Sequence, residues 1–204
     1  MALKENPGSR TYLSIREGKI ARKIGEEWTT YNSVEGYIVG ISTREGKYGT
    51  DLCIDLQDDV LYQLQFRLKG TDSGKQSSYF ISFAHCIPNI DPTKKVEFIP
   101  SLKTLEDGKK RAALFLIQDG QPIKWGYKRN DGVMPDPEEI VNKKGEVVSL
   151  DWSEVETFRV NVVNEFNDKV SKVKSRNTAM VNDPVGDEPA EDNFFEDSTD
   201  DLPF

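Results

Sequence analysis

The chain is poor in the residues that most often build catalytic and metal sites. Its 204 residues include one histidine, His85, and two cysteines, Cys53 and Cys86. A zinc site here would lack a clear fourth ligand, and cysteines within apolar stretches are expected to be reduced core residues. The sequence also has no paired carboxylate motif, no glycine-rich phosphate loop and no nucleophile with a partner histidine. We therefore expect no catalytic residue, no bound metal and no cofactor.

Long apolar runs are absent as well. No stretch approaches the length needed to cross a membrane, and the first residues, MALKENPGSR, lack the apolar centre of a signal peptide. The chain is 36% hydrophobic and 30% charged, which is ordinary for a globular protein. These features predict a cytoplasmic protein.

Positive charge is missing from one end of the chain. Residues 177–204 contain nine Asp and Glu and no Lys or Arg, so we expect a disordered acidic tail over 176–204. The whole chain has 27 basic and 35 acidic residues; without the nine tail acids the balance is 27 to 26. A near-neutral body can still hold a basic groove if its charges are segregated, and the tail can compete for that groove.

Alternating side chains predict strands over most of the body. The clearest case is Val60–Lys69, where one face is apolar and the other carries Gln63, Gln65, Arg67 and Lys69. A hairpin is predicted over 10–24. From residue 33 the predicted elements are the strands Val34–Ser42, Asp51–Leu56 and Val60–Lys69, the helix Tyr79–Ile87 (with a strand as the alternative), and the strands Lys94–Leu102 and Arg111–Gln118; a short strand follows at Pro122–Tyr127.

Five strands with a helix between the third and fourth is the order of the OB-fold, a five-stranded Greek-key barrel. The sequence thus predicts a mainly β domain over 1–129 with an added N-terminal hairpin. A turn-rich linker follows over 130–150, then a long amphipathic helix over 151–175, with Asp151 as its cap and Glu154 completing a capping box. The apolar side chains of this helix form one stripe, which is expected to pack on the barrel. The alternative is that the stripe mediates self-association as a homodimer.

The predicted binding surface combines cations with aromatic faces. An OB-fold usually binds on its second and third strands and on two flanking loops. Both loops carry cations here, and Tyr48 lies between glycines, where a core position is hard to arrange. Such a surface suits single-stranded nucleic acid, whose phosphates need positive charge and whose bases stack. Trp28 and Tyr62 are weaker stacking candidates. The candidate residues are Arg44, Lys47, Tyr48, Gln63, Gln65, Arg67, Lys69, Lys103, Lys109, Lys110, Arg111 and Trp125.

The last residues carry a resemblance to a known family. Asp200, Asp201, Pro203 and Phe204 match the acidic tip of bacterial single-stranded DNA-binding proteins, with Thr199 in place of an Asp and Leu202 in place of an Ile. The body, a predicted OB barrel followed directly by the tail, resembles the corresponding proteins of tailed bacteriophages. It lacks the long Gly/Gln/Pro-rich linker of the bacterial form, which puts the bacterial tetramer in doubt.

The resemblance implies sequence-independent binding and protection of single-stranded DNA in replication, recombination and repair, in the bacterial host cytoplasm if the chain is phage-encoded. It also implies that Asp200, Asp201, Leu202, Pro203 and Phe204 bind replication proteins such as a DNA polymerase or helicase–primase. Two alternatives come from other classes: a Mg²⁺-dependent nuclease, and an acidic adaptor or DNA mimic that does not bind DNA itself.

Overall fold

The computed structural model describes residues 10–71, 73–127 and 132–181, and it is mainly β. Of the tail predicted over 176–204, residues 176–181 belong instead to the last helix, and residues 182–204, including Asp200–Phe204, lie outside the described residues. The elements are β1 (Thr11–Arg16), β2 (Lys19–Ile24), β3 (Glu27–Tyr31), β4 (Val34–Gly46), β5 (Gly49–Gln57), β6 (Leu61–Gly70), α1 (Ser78–Cys86) followed by a 3₁₀ turn (Ile87–Asn89), β7 (Val96–Thr104), β8 (Lys110–Gln118), β9 (Gln121–Pro122), β10 (Glu138–Val141), β11 (Val147–Asp151) and α2 (Ser153–Val181).

Nine strands form one sheet in the order β3-β2-β1-β6-β5-β4-β7-β8-β9. β4, β5 and β6 are an antiparallel meander, and β7 pairs with the first residues of β4, with Val34 opposite Phe98. The predicted succession of three strands, a helix and two strands is confirmed.

The sheet is not closed into a barrel, so that part of the OB-fold expectation is not met. A closed barrel would pair β6 with β8. Instead the second edge of β6 pairs with β1 in parallel, with Leu13 opposite Leu64. Because β1 occupies this edge, the N-terminal hairpin extends the sheet outward.

The core lies between the apolar face of the sheet and α1. Leu64, Phe66 and Leu68 of β6 are buried, as the alternation of this strand predicts. Phe83 of α1 contacts Phe66 edge-on at 6.4 Å between ring centroids, and Phe98 at 6.1 Å. Burial of each such ring stabilises the fold by about 1.5–3 kcal/mol.

The predicted helix at residues 79–87 is confirmed as α1. The side chain of Ser77 accepts the backbone N–H of Phe80 at 3.2 Å and caps the first turn. Pro88 then tightens the chain into the 3₁₀ turn at the other end. The capped helix positions Phe80 and Phe83 in the core.

α2 covers the sheet beside β4. Its buried residues Val155, Val162, Val163, Phe166 and Val170 belong to the predicted stripe, so packing against the body explains that stripe. Asn167 Oδ1 accepts a hydrogen bond from the backbone N–H of Ile41 at 2.8 Å and so satisfies this backbone donor of β4. Asp151 accepts the N–H of Ser153, two residues on, as an Asx turn before the helix.

Three segments differ from the sequence prediction. The polar stretch around Trp28 forms a strand, β3, that was not predicted. The predicted strand Pro122–Tyr127 is wrong beyond Pro122, because the chain turns across α1 and Gly126 donates its N–H to the carbonyl of His85 at 2.7 Å. The predicted linker contains the hairpin β10–β11, which forms a separate two-stranded sheet. None of the described helices has the length and apolar character needed to cross a membrane.

Candidate nucleic-acid interface

Gln63 and Gln65 on the polar face of β6 form a hydrogen-bond network with Asp55. Gln65 Nε2 donates to Gln63 Oε1 at 2.8 Å, and Gln63 Nε2 donates to Asp55 Oδ1, also at 2.8 Å. Arg10 pairs with the other oxygen of Asp55 at 3.2 Å. These amides already have hydrogen-bond partners, and Gln63 is buried. Gln63 and Gln65 therefore hold neighbouring side chains in place and do not offer these bonded N–H groups to a ligand.

The two cations of β6 are also paired. Arg67 Nε lies 3.0 Å from Asp51 Oδ1, and Lys69 Nζ lies 2.9 Å from Glu156 Oε2 of α2. In the register of the sheet, Asp51 lies between Arg67 on β6 and Arg44 on β4. Arg44 is exposed and forms no ion pair within the described residues. Of these three cations, Arg44 is therefore the one available for a phosphate.

The β4–β5 turn presents an aromatic ring and a cation together. Lys47 and Tyr48 are the turn residues, Tyr48 is 67% exposed, and Lys47 Nζ lies 5.4 Å from the centroid of its ring. Gly49 follows with a φ of 121°, and a Cβ there would lie 2.1 Å from the carbonyl oxygen of Lys69. Only glycine fits this approach, so the turn is held against β6 with Tyr48 projecting outward.

The β7–β8 hairpin carries a group of cations that have no acid partner among the described residues. Lys103 lies opposite Arg111 in the register, and Lys110 lies opposite Thr104. These three cations form no ion pair in the described part of the chain, whereas Lys109 pairs with Asp107 at 3.0 Å within the turn. Lys103 and Arg111 line a groove of about 360 Å³ together with Trp125, Phe115 and Leu105, which we call the hairpin groove.

Trp125 is positioned by contacts to the end of α1. Its ring meets His85 edge-on at 4.9 Å between centroids, yet 51% of its surface remains exposed. His85 Nε2 accepts from Arg159 Nε at 3.1 Å, and burial lowers the pKa of this guanidinium. Arg159 also donates to Gln76 Oε1 at 3.2 Å. One edge of Trp125 is thus fixed and the rest faces the groove.

A second group lies on the N-terminal strands β1–β3, where the sequence analysis named only Trp28, as a weaker stacking candidate. Trp28 is 46% exposed, and the Arg16 guanidinium lies 4.1 Å from the centroid of its ring. Trp28 lines a cleft of about 420 Å³, the N-terminal cleft, together with Tyr12, Arg10, Arg22, Lys23 and Gln65. The signal in the sequence was the density of Arg and Lys over 10–23 beside two aromatic residues.

The two groups are connected through the β1–β2 turn. Gly18, with a φ of 74°, approaches β7 so closely that a Cβ would lie 2.5 Å from the Leu102 nitrogen. Arg16 of β1 lies opposite Lys19 of β2 in the strand register on the two sides of this turn. Lys103 directly follows Leu102 in the sequence. The turn therefore brings the cations of the N-terminal hairpin toward those of the β7–β8 hairpin.

The remaining features are the potential metal ligands and the cysteines of the described residues. Within them, no cluster of three His, Cys, Asp or Glu side chains could hold a metal ion. Cys53 and Cys86 are buried free thiols. Burial raises the pKa of both, that of Cys86 to about 11, so neither is an activated nucleophile at neutral pH.

Comparison of the chain with models of protein families, with curated proteins and with solved structures finds no match.

Proposed function

We propose that this protein binds single-stranded DNA without sequence preference. The observation that carries the proposal is the pairing of exposed aromatic rings with cations at three places, one in the β4–β5 turn, one on β3 and one beside the end of α1. These are Tyr48 beside Lys47, Trp28 beside Arg16, and Trp125 in the groove with Lys103 and Arg111. A ring beside a cation suits a nucleotide, since the ring stacks on the base and the cation neutralises the phosphate.

The proposed mechanism assigns separate tasks to the two kinds of residue. Arg44, Lys47, Lys103, Lys110 and Arg111 neutralise phosphates and release counterions. Tyr48, Trp125 and Trp28 stack on bases, which every base allows because each has a π-face. The amides of Gln63 and Gln65, the best donors for reading base edges, are already bonded to neighbours. Duplex DNA hides its base faces, so the surface favours single strands.

The order of elements supports an OB-type origin for this surface. From β4 to β8 the chain has the OB succession with α1 between the third and fourth strands. We propose that the body is an OB-fold opened by insertion of β1 beside β6. The N-terminal hairpin then lengthens the track available to the strand of DNA.

The test is a titration of oligo-dT against the protein at several salt concentrations. Trp28→Ala and Trp125→Ala should each weaken binding by about 1–3 kcal/mol, the range for loss of one stacked base. Trp152→Ala is the matched control, because Trp152 is also exposed, lies just before α2, and lines neither the groove nor the cleft. Equal losses in all three variants, or no binding by the wild type at low salt, would refute the proposal.

We further propose that the acidic tail links DNA binding to recruitment. Its charge competes for the cations of the site at high effective concentration, and DNA displaces it. Asp200–Phe204 then become available to replication proteins. Deleting residues 182–204 should raise DNA affinity, most at low salt, where the competition is least screened. Deleting Phe204 alone should leave DNA affinity nearly unchanged and abolish capture of a partner polymerase or helicase–primase.

The nuclease alternative has a direct test. Intact protein is incubated with labelled single-stranded DNA and Mg²⁺, and the DNA is examined on a denaturing gel. We expect full-length DNA at all times. Cleavage that persists through repeated purification would favour the enzyme.

A further inference from the structure

Every residue of β10 is exposed, and so are all residues of β11 except the half-buried Leu150. It belongs to its own two-stranded sheet, separate from the nine-stranded one. Ile140, Val141, Val147 and Val148 are between 47% and 60% exposed. A lone two-stranded hairpin is marginally stable in water, and exposed β-branched residues on a free edge favour pairing with another strand.

The turn of this hairpin is well ordered, which fixes where its charges lie. Asn142 Oδ1 accepts the N–H groups of Lys144 at 2.8 Å and Glu146 at 3.0 Å. The carboxylate of Glu146 is held by Asn142 Nδ2 at 2.8 Å. The tip therefore presents Lys143 and Lys144 outward, and neither forms an ion pair among the described residues.

The base of the hairpin carries the opposite charge. Glu138 and Glu139 open β10, Asp136 precedes them, and all three are exposed. They too have no cationic partner within the residues that the structure describes. Along β10 the charge thus changes from negative at the base to positive at the tip, with Ile140 and Val141 between.

We infer that two copies of this chain associate through the outer edges of their β10 strands, around a twofold axis near Ile140. A twofold axis pairs the strands antiparallel, so the tip of each hairpin lies beside the base of the other. Lys143 and Lys144 of one copy then meet residues 136–138 of the second copy. Ile140 meets Ile140 across the axis, and the free backbone groups of the two edges bond to each other.

The β11 edge does not offer the same match. An antiparallel pair centred on Ser149 would bring Glu146 of one copy toward Asp151 of the other. Like charges at both ends oppose that pairing. The distribution of charge therefore selects β10 as the interface strand and a second copy of the chain as its partner.

The experiment uses sedimentation velocity of the intact protein without DNA, up to about 100 µM, a range that reveals weak interfaces. Wild type should show a concentration-dependent monomer–dimer equilibrium. Glu138→Lys with Glu139→Lys, and Lys143→Glu with Lys144→Glu, should each weaken the dimer by about tenfold or more, because each double variant places like charges together at both ends.

An equimolar mixture of the two double variants is the decisive arm. The positive hairpin of one should pair with the negative hairpin of the other, so dimers should return in the mixture. Lys169→Glu with Lys172→Glu changes the net charge by the same amount on α2 and should leave the dimer unchanged. Circular dichroism melting checks that each variant is folded, and Ile140→Thr, which removes the apolar contact without altering charge, should also weaken the dimer.

The inference is overturned by a wild type that stays monomeric over the whole range, by double variants that dimerise like the wild type, or by a mixture that stays monomeric. Cross-linking that joins the hairpin to residues 182–204 of the same chain, or only to other proteins, would also overturn it. Because DNA is absent from every arm, the result does not depend on whether the proposed DNA binding holds.

Discussion

The outer face of β6 and the β7–β8 hairpin carry similar side chains in different surroundings. On β6, Arg67 and Lys69 each have a carboxylate within 3.0 Å. On the hairpin, Lys103, Lys110 and Arg111 have none among the described residues, and Lys103 and Arg111 share a groove with an exposed tryptophan. A cation that already has an acid partner contributes to holding the sheet and α2 together. A cation without one is free to meet a phosphate.

The largest effect is expected where cations are unpaired. Replacing Lys103, Lys110 and Arg111 by Ala should reduce the slope of log K against log salt by about two, at about 0.7 per phosphate contact. The affinity for oligo-dT at about 0.1 M salt should fall by about two orders of magnitude. The measurement is a salt titration monitored by fluorescence anisotropy.

The control for this triple variant is Lys94, Lys169 and Lys172 replaced together by Ala, because these three cations line neither the hairpin groove nor the N-terminal cleft. The net charge changes equally, so the salt slope should stay within error of the wild type. If the two triple variants lose the same slope, the DNA follows no defined track, and the comparison between β6 and the hairpin fails.

Tyr48 should show the next largest effect. Tyr48→Ala removes an exposed ring that packs on no core residue, so binding should weaken by about 1–3 kcal/mol while the melting temperature stays nearly constant. Tyr37→Ala is the matched control, because Tyr37 is an exposed tyrosine of β4 that lines neither the hairpin groove nor the N-terminal cleft. A fall of several degrees in the melting temperature of Tyr48→Ala would show that the ring has a structural role instead.

Arg44 and Arg67 flank the same carboxylate, that of Asp51, and therefore test the comparison between unpaired and paired cations. Both lie next to Asp51 in the register, but only Arg67 is bonded to it. Arg67→Ala should lower stability by up to about 1 kcal/mol and leave the salt slope unchanged. Arg44→Ala should reduce the slope by about 0.7 with little change in stability. If instead Arg67→Ala reduces the salt slope and Arg44→Ala lowers the melting temperature, then Arg67 contacts the phosphate and Arg44 stabilises the fold.

The smallest effect is expected for Lys69. Its ion pair with Glu156 joins β6 to α2, but the lysine side chain is largely exposed, so Lys69→Ala should cost at most about 1 kcal/mol. A double-mutant cycle with Glu156→Gln isolates the coupling between the two charges. A loss of DNA affinity as large as that of Arg44→Ala, with no coupling, would assign Lys69 to the binding surface.

Local pattern was enough to predict most of the elements. The alternation along Val60–Lys69 correctly separated the buried Leu64, Phe66 and Leu68 from the polar side, because the twofold period of a strand depends only on neighbouring residues. The spacing of Phe80 and Phe83 and the Pro at 88 likewise indicated α1. The short strand β3 was not predicted, because its five residues are all exposed and show no alternation of apolar and polar side chains.

What only the tertiary structure decided was which partner each edge and each charge finds. That β1 takes the edge of β6, and so leaves the sheet open, depends on residues about fifty positions apart and has no local signature. Lys69 and Glu156 are separated by 87 positions, yet they form an ion pair that no local pattern predicts. By itself the sequence determined the kinds of side chain and the faces they share. Long-range pairing determined which of those side chains remain free, since the energy of an ion pair or an edge depends on distance in space and not along the chain.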